Sequence, residues 1–257
     1  MTCWRETGTG EALTLLHGIS SGAASWHKQF AGVAGYRLLA WDMPGYGDSP
    51  LPARAQPLAA DYADALAAML ERAGVQQTVL LGHSLGALVA SAFAAKYPQR
   101  VKRLVLADPA QGYAHASAEQ REQVWVQRQR QMAQGAQAMA QNRADKLLRP
   151  GACADDVATV AAGMTRLHAD GYLAAAWMLA HDDIHRWLGD WRGPLEVWCG
   201  EQDAITPPEN AQGLALRWKA PYIAIPQAGH ASYLDNERFF NQQIERVMKE
   251  ASDECTH

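Results

Sequence analysis

In the first part of the chain, short apolar runs alternate with longer segments in which apolar residues recur every three or four positions. Leu13 to Leu16, Arg37 to Trp41, Thr78 to Leu81 and Arg103 to Ala107 are short apolar runs and predict buried strands. Between them, Trp26 to Val33, Leu58 to Ala73 and Leu85 to Tyr97 predict helices. Strand and helix alternating in this way give the α/β class, a mostly parallel central sheet flanked by helices, in which ligands bind at the carboxyl ends of the strands.

After Pro109 the alternation stops, and residues 110–191 show helical patterns without a convincing strand. Ser117-Ala118-Glu119-Gln120 has the form of a capping box. Trp125, Gln129, Met132, Ala136 and Met139 then share one face, which predicts a continuous solvated helix through this glutamine-rich stretch. Pro150-Gly151 breaks the pattern, and Asp155 to Leu167 and Gly171 to Ala180 resume it. Strands return at Leu195 to Trp198 and Tyr222 to Ile225, with helices at Glu209 to Lys219 and Asn236 to Glu250. The expected organisation is therefore one sheet domain in two pieces, 1–109 and 192–257, interrupted by a helical insertion at 110–191.

With 257 residues the chain can bury a large core. A net charge of −4 without a basic run speaks against nucleic acid or an anionic membrane as a partner and leaves a small molecule as the expected one. The first residues, Met1-Thr2-Cys3-Trp4-Arg5-Glu6, do not join a basic segment to an apolar one, and no apolar window is long enough to span a bilayer, so a soluble, cytoplasmic protein is expected. Cys3, Cys153, Cys199 and Cys255 lie far apart and read as reduced thiols, not as a metal knuckle. His181 and His185 have the spacing of a helical metal site but lack the glutamate of the zinc-protease motif, so an exposed helix end is expected there. Nothing in the pattern fixes an oligomeric state.

The chemistry concentrates at Gly82-His83-Ser84-Leu85-Gly86, placed between a predicted strand and a predicted helix. A serine at such a sharp turn projects its hydroxyl from the sheet edge, and glycine two positions away on either side lets strand and helix approach. A serine hydroxyl needs a base, and the base needs an orienting group. Among the nine histidines, His230 follows the strand ending near Pro226 and so leaves the sheet at the same edge. Asp203, in Cys199-Gly200-Glu201-Gln202-Asp203, is the candidate acid; Glu201 is assigned to the turn. Asp108 competes, because it too leaves a strand at that edge, and the chain order Ser, Asp, His favours Asp203. Acyl transfer also requires oxyanion donors, for which the backbone amides of Leu85 and Ile19 are the candidates, with His17 bracing the loop that carries Ile19.

These pieces, with Trp41-Asp42-Met43-Pro44-Gly45-Tyr46-Gly47-Asp48-Ser49 and Gly229-His230, resemble the α/β-hydrolase fold family over nearly the whole chain. The resemblance implies Ser84, Asp203 and His230 as a catalytic triad and 110–191 as a helical lid. It also implies an antiparallel strand pair at the start, whose first strand is expected to be missing or truncated because few residues precede Leu13. Trp26, Trp177 and Met178, with Leu179, are candidates for an apolar substrate pocket, and Arg166 and Arg186 for contacts to a substrate carboxylate or simply for solvated surface. The expected activity is hydrolysis of a small ester, lactone or related acyl substrate through an acyl-enzyme on Ser84, with no metal or organic cofactor. Carbon–carbon hydrolysis of ring-cleavage diketones is the alternative; relatives with that activity typically carry asparagine where His83 stands, and a tryptophan soon after the histidine, where this chain has Ala231-Ser232-Tyr233. A ligand-binding member of the fold without turnover is the remaining alternative.

Overall fold

The computed structural model describes residues 1–253. The strands are β1 (Cys3–Thr7), β2 (Ala12–Leu16), β3 (Arg37–Asp42), β4 (Thr78–His83), β5 (Val101–Ala107), β6 (Leu195–Gly200) and β7 (Tyr222–Ile225). They form one seven-stranded sheet in the order β1-β3-β2-β4-β5-β6-β7, parallel throughout except for β1, which runs antiparallel to β3. The antiparallel start expected from the resemblance is thus a single strand. Its sequence, Cys-Trp-Arg-Glu-Thr, is mostly polar and only partly buried, as suits a sheet edge and as hides it from a search for apolar runs.

The core follows from which strands are wholly buried. Every residue of β2 and β4 is buried, and these two lie side by side at the middle of the sheet. The chain leaves β2 for β3 on one side and returns to β4 on the other. This reversal opens a crevice at the carboxyl ends of β2 and β4, the place where open α/β sheets bind ligands.

Helices α1 (His27–Gly32), α2 (Ala59–Arg72) and α3 (Leu85–Lys96) connect the first strands. Residues Leu85 to Ala94 of α3 are all buried, and the alanines among them let the helix lie close against β4. Between β5 and β6 the chain forms α4 (Ala118–Ala133), α5 (Ala136–Arg143), α6 (Ala154–Thr165), α7 (Ala169–His181) and α8 (Ile184–Leu188), with no strand among them. The capping box is present: Ser117 Oγ accepts from the Gln120 amide, and Gln120 Oε1 accepts from the Ser117 amide. The stripe from Trp125 to Met139 is not one helix, however. At Gly135 the backbone turns to φ +88°, which ends α4 and redirects α5.

The helical block is tied to the sheet domain by buried Asp182, whose Oδ2 accepts from the Ala59 amide at the start of α2 (2.7 Å) and whose Oδ1 accepts from Trp187 Nε1 (2.9 Å). His181 and His185 fall on different helices. His181 stacks on Trp177, while His185 Nδ1 accepts from Trp218 Nε1, so the spacing that suggested a metal face does not survive the break at Asp182-Asp183. After β6 come α9 (Pro208–Trp218), the short α10 (Ser232–Asp235), which was not predicted, and α11 (Glu237–Asp253), which matches the predicted helix from Asn236 to Glu250. Cys3, Cys153 and Cys199 are free thiols; Cys255 lies outside the described residues. Among the described residues, no helix is long and apolar enough to cross a membrane.

Candidate active site

Ser84 is the one residue between β4 and α3, and its backbone sits at φ 53°, ψ −118°, a region L-residues rarely occupy. The reason is local crowding. A β-carbon at Gly82 would run into the carbonyl of Gly86, and one at Gly86 would run into the carbonyl of Leu16. The turn is pinned by the Ser84 amide, which donates to Ala107 O (2.9 Å), and by the Ser84 carbonyl, which accepts from the amides of Ala87 and Ala110.

The turn aims the hydroxyl at the loop after β7. Ser84 Oγ lies 2.9 Å from His230 Nε2, and His230 Nδ1 lies 2.9 Å from Asp203 Oδ2. All three side chains are buried. Asp203 Oδ1 accepts from the amides of Ile205 (2.8 Å) and Thr206 (2.9 Å), and Thr206 Oγ1 donates to Asp203 Oδ2 (2.7 Å). Burial alone would raise the Asp203 pKa, but His230 and the Thr206 donors outweigh it and hold the carboxyl below its ordinary range. Asp203 is therefore an anion facing Nδ1, which favours the His230 tautomer that offers its bare Nε2 to the serine.

Asp108 does not reach His230. Its Oδ1 accepts from the Gly200 amide (2.8 Å) and its Oδ2 from Ser232 Oγ, so it ties the end of β6 to the first residue of α10, two residues beyond His230. Complete burial, followed by repulsion from Asp203, pushes its pKa well above the carboxylate range. Cys199 lies beside both carboxylates, and the three possible ligand atoms lie within 4.8 Å of one another. Burial and the two acids push the thiol pKa far up, so it keeps its proton, and the carboxylates face N–H and O–H donors. The chemistry of the cluster is that of a hydrogen-bonded network, not of a cation cage.

The loop after β2 is organised by His17. Its Nε2 accepts from the Met43 amide (3.1 Å) and its Nδ1–H donates to Gly18 O (2.8 Å). That carbonyl shares a peptide plane with the Ile19 N–H, which in a trans peptide points the opposite way. Tyr46 Oη donates to Ile19 O (2.6 Å), fixing the next plane as well. The amides of Ile19 and Leu85 have no protein acceptor among the described residues.

A family model described as the alpha/beta hydrolase fold matches residues 11–149. The chain belongs to the α/β hydrolase fold family. Across this α/β hydrolase, 26% of 245 aligned residues are identical to the 3-oxoadipate enol-lactonase 2 of Acinetobacter baylyi, covering 93% of this chain and 88% of that protein. A 2-hydroxy-6-oxononadienedioate/2-hydroxy-6-oxononatrienedioate hydrolase of Burkholderia vietnamiensis is 40% identical over 109 residues, covering 40% of this chain and 38% of that one. Among solved structures, a thermophilic esterase from Thermogutta terrifontis superposes with a TM-score of 0.84 at 26% identity, covering 97% of this chain and 93% of the esterase.

Two cavities of the hydrolase meet at Ser84. One, of about 50 Å³, has His83, His230 and Gly18 in its wall; the other, of about 260 Å³, has Leu85, Gly112 and Leu179, and both share Ile19, Arg128 and Ile205 with the serine. Trp26, Trp177 and Met178 line neither, which corrects the pocket expected from sequence. Trp26 is fully buried behind His83, packed on Tyr233; Trp177 stacks on His181; Met178 is core. Only Leu179 of that group reaches a cavity wall. Arg166 and Arg186 are exposed and also line neither cavity, Arg186 lying over the Trp187 ring. Sequence reasoning missed Arg128, Arg143 and Thr206. The first two face the cavities from α4 and α5, in the glutamine-rich stretch where every arginine looks solvated.

His83 adds a pH dependence to the fold. Its Nε2–H donates to His230 O (2.7 Å), while its buried Nδ1 has no partner. Burial, then the charge on His230, presses its pKa down to about 3. An unfolded histidine titrates near roughly 6.5, so between these values the unfolded chain binds the proton and the folded one does not. Stability from this group is complete above the unfolded value and is lost as pH falls through the window towards 3. The melting temperature of the wild type is expected to fall across that window, and that of His83→Gln, which keeps a donor for His230 O, to fall less. Parallel melting curves for the two proteins would contradict this.

Proposed function

We propose that this α/β hydrolase cleaves a small ester, lactone or related acyl substrate through an acyl-enzyme on Ser84. The observation that carries the reading is the continuous relay from Ser84 Oγ through His230 to Asp203, with 2.9 Å at each step. Ser84 Oγ attacks the carbonyl carbon as His230 Nε2 takes its proton, and Asp203 stabilises the imidazolium through Nδ1–H. The Ile19 and Leu85 amides receive the negative charge that develops on the carbonyl oxygen. His230 then protonates the leaving oxygen, activates a water and returns its proton as the acid departs. Helices α4 to α8 serve as the lid, and the esterase and enol-lactonase relatives support this substrate class.

The test is a panel of p-nitrophenyl esters and lactones, combined with labelling by a fluorophosphonate. Multiple turnover and stoichiometric labelling of Ser84 support the reading; a protein that binds such molecules without turnover is a receptor on this fold. Carbon–carbon hydrolysis is the second reading, favoured by the relative that is 40% identical over 109 residues. It would show as turnover of a vinylogous diketone in preference to every ester.

His17 acts on this reaction through the peptide it holds. In His17→Ala the Gly18 carbonyl loses its side-chain donor, the Ile19 N–H loses its fixed direction, and kcat is expected to fall roughly 10-fold to 100-fold with KM little changed, less than the roughly 10²-fold to 10³-fold loss when an oxyanion donor is removed outright, because the amide itself remains. An equal loss on substrate binding, with kcat intact, would remove His17 from this role.

A further inference from the structure

Arg128 on α4 lines both cavities at Ser84, and Arg143 at the end of α5 lines the one shared with His83 and His230. Both are half-buried. Among the described residues, no aspartate or glutamate lines either cavity. Among the described residues Arg128 reaches only neutral acceptors, Gln131 Oε1 at 3.3 Å and Tyr172 Oη at 3.4 Å, which are long contacts for a guanidinium with five N–H groups. Arg143 makes no hydrogen bond or ion pair among the described residues. Withdrawal from water, with the like charge of Arg128 nearby, lowers its pKa, though a guanidinium remains protonated.

Elsewhere in the chain, several arginines withdrawn from solvent are answered by acids, while half-buried Arg100 and Arg121 donate to backbone carbonyls. Arg37 pairs with Glu6 at 2.8 Å, Arg103 with Glu196 at 3.2 Å, and Arg246 with Glu196 at 2.6 Å. Two unanswered guanidiniums beside one cavity are costly, because each has lost solvent and gained a like-charged neighbour. An anion held between them removes both penalties, and the planar fork of arginine fits a carboxylate with two parallel hydrogen bonds.

We propose that Arg128 and Arg143 form a carboxylate-binding subsite beside Ser84, and that the substrate is a small ester or lactone that carries a free carboxylate away from the scissile bond. The substrate class rests on the hydrolase reading; the anion site itself does not. With the carboxylate seated on the arginines, the scissile carbonyl is drawn towards Ser84 Oγ and the Ile19 amide, so binding energy from a non-reacting group positions the reacting one. The site also discriminates, since a neutral ester leaves both guanidiniums unanswered.

Calorimetry with glutarate and its neutral counterpart glutaramide tests the site without turnover. Glutarate should bind the wild type at least about tenfold more tightly than glutaramide, and Arg128→Gln and Arg143→Gln should each weaken glutarate by at least about tenfold while leaving glutaramide unchanged. Equal binding of the two molecules by the wild type overturns the proposal, and this comparison requires no variant. Arg143→Lys, which keeps the charge and loses the fork, should lie between. If inorganic phosphate binds in an arginine-dependent way and glutarate does not, the carboxylate assignment is overturned. Kinetics supply the second arm: in either Gln variant, kcat/KM for monomethyl glutarate should fall at least about tenfold further than kcat/KM for methyl hexanoate. Equal losses on both esters would make the arginines structural. Arginine-dependent glutarate binding without turnover of any ester would leave the subsite standing and refute the hydrolase reading alone.

Discussion

Ser84→Ala is expected to lower kcat by about 10⁴-fold or more, to abolish fluorophosphonate labelling, and to leave circular dichroism and glutarate binding unchanged. The exchange removes one buried oxygen and its hydrogen bond to His230 Nε2, while alanine occupies the same volume and the same backbone. The two cavities and the arginines facing them persist, so loss of rate without loss of binding is the signature of a missing nucleophile. Residual activity above a trace in a folded variant would take the nucleophilic role from Ser84 and with it the acyl-enzyme.

Asp203→Asn is expected to cost roughly 10⁴-fold in kcat and Asp108→Asn less than about tenfold, by the precedent of triad acids exchanged for amides. The asymmetry follows from the donors around each group. Oδ1 of Asp203 accepts two backbone N–H groups, so an asparagine must keep its oxygen there and turn its NH₂ towards His230 Nδ1. The imidazole then accepts at Nδ1 and carries its proton on Nε2, facing a serine whose own proton has nowhere to go. Asp108 meets a different exchange. Burial and the neighbouring Asp203 favour its neutral form, and an amide has nearly the same shape and charge as a neutral acid. Steady-state kinetics on one ester decide the matter: a crippled Asp108→Asn beside a nearly silent Asp203→Asn would move the orienting acid to the end of β5.

The sheet and the elbow were legible because both depend on local pattern. Apolar runs of strand length mark β2 to β6, and a serine bracketed by glycines marks a turn whose tightness the backbone clashes at Gly82 and Gly86 account for. His230 and Asp203 could be placed because strands deliver their following loops to a common edge. What was not legible depends on contacts across the chain. A stripe spacing does not reveal that Gly135 will adopt a positive φ, nor does it separate Arg128 and Arg143, which face the cavities, from Arg166, which faces solvent. The pocket suggested by tryptophans failed for the same reason. Trp26 is large and apolar enough to line a site, but its buried neighbours Tyr233 and Phe240 claim it for the core.

The backbone of Ser84 has a consequence for anyone who selects variants of this scaffold. At φ 53°, ψ −118° the position suits glycine better than any other residue, and holding a serine there costs on the order of 1–3 kcal/mol. A chain with glycine at this point would keep its sheet, lose its hydroxyl and gain thermal margin. A screen for heat tolerance that does not also demand turnover will therefore reward loss of the serine. Robustness and reactivity are opposed at this residue, and a selection regime must weigh both together to keep either.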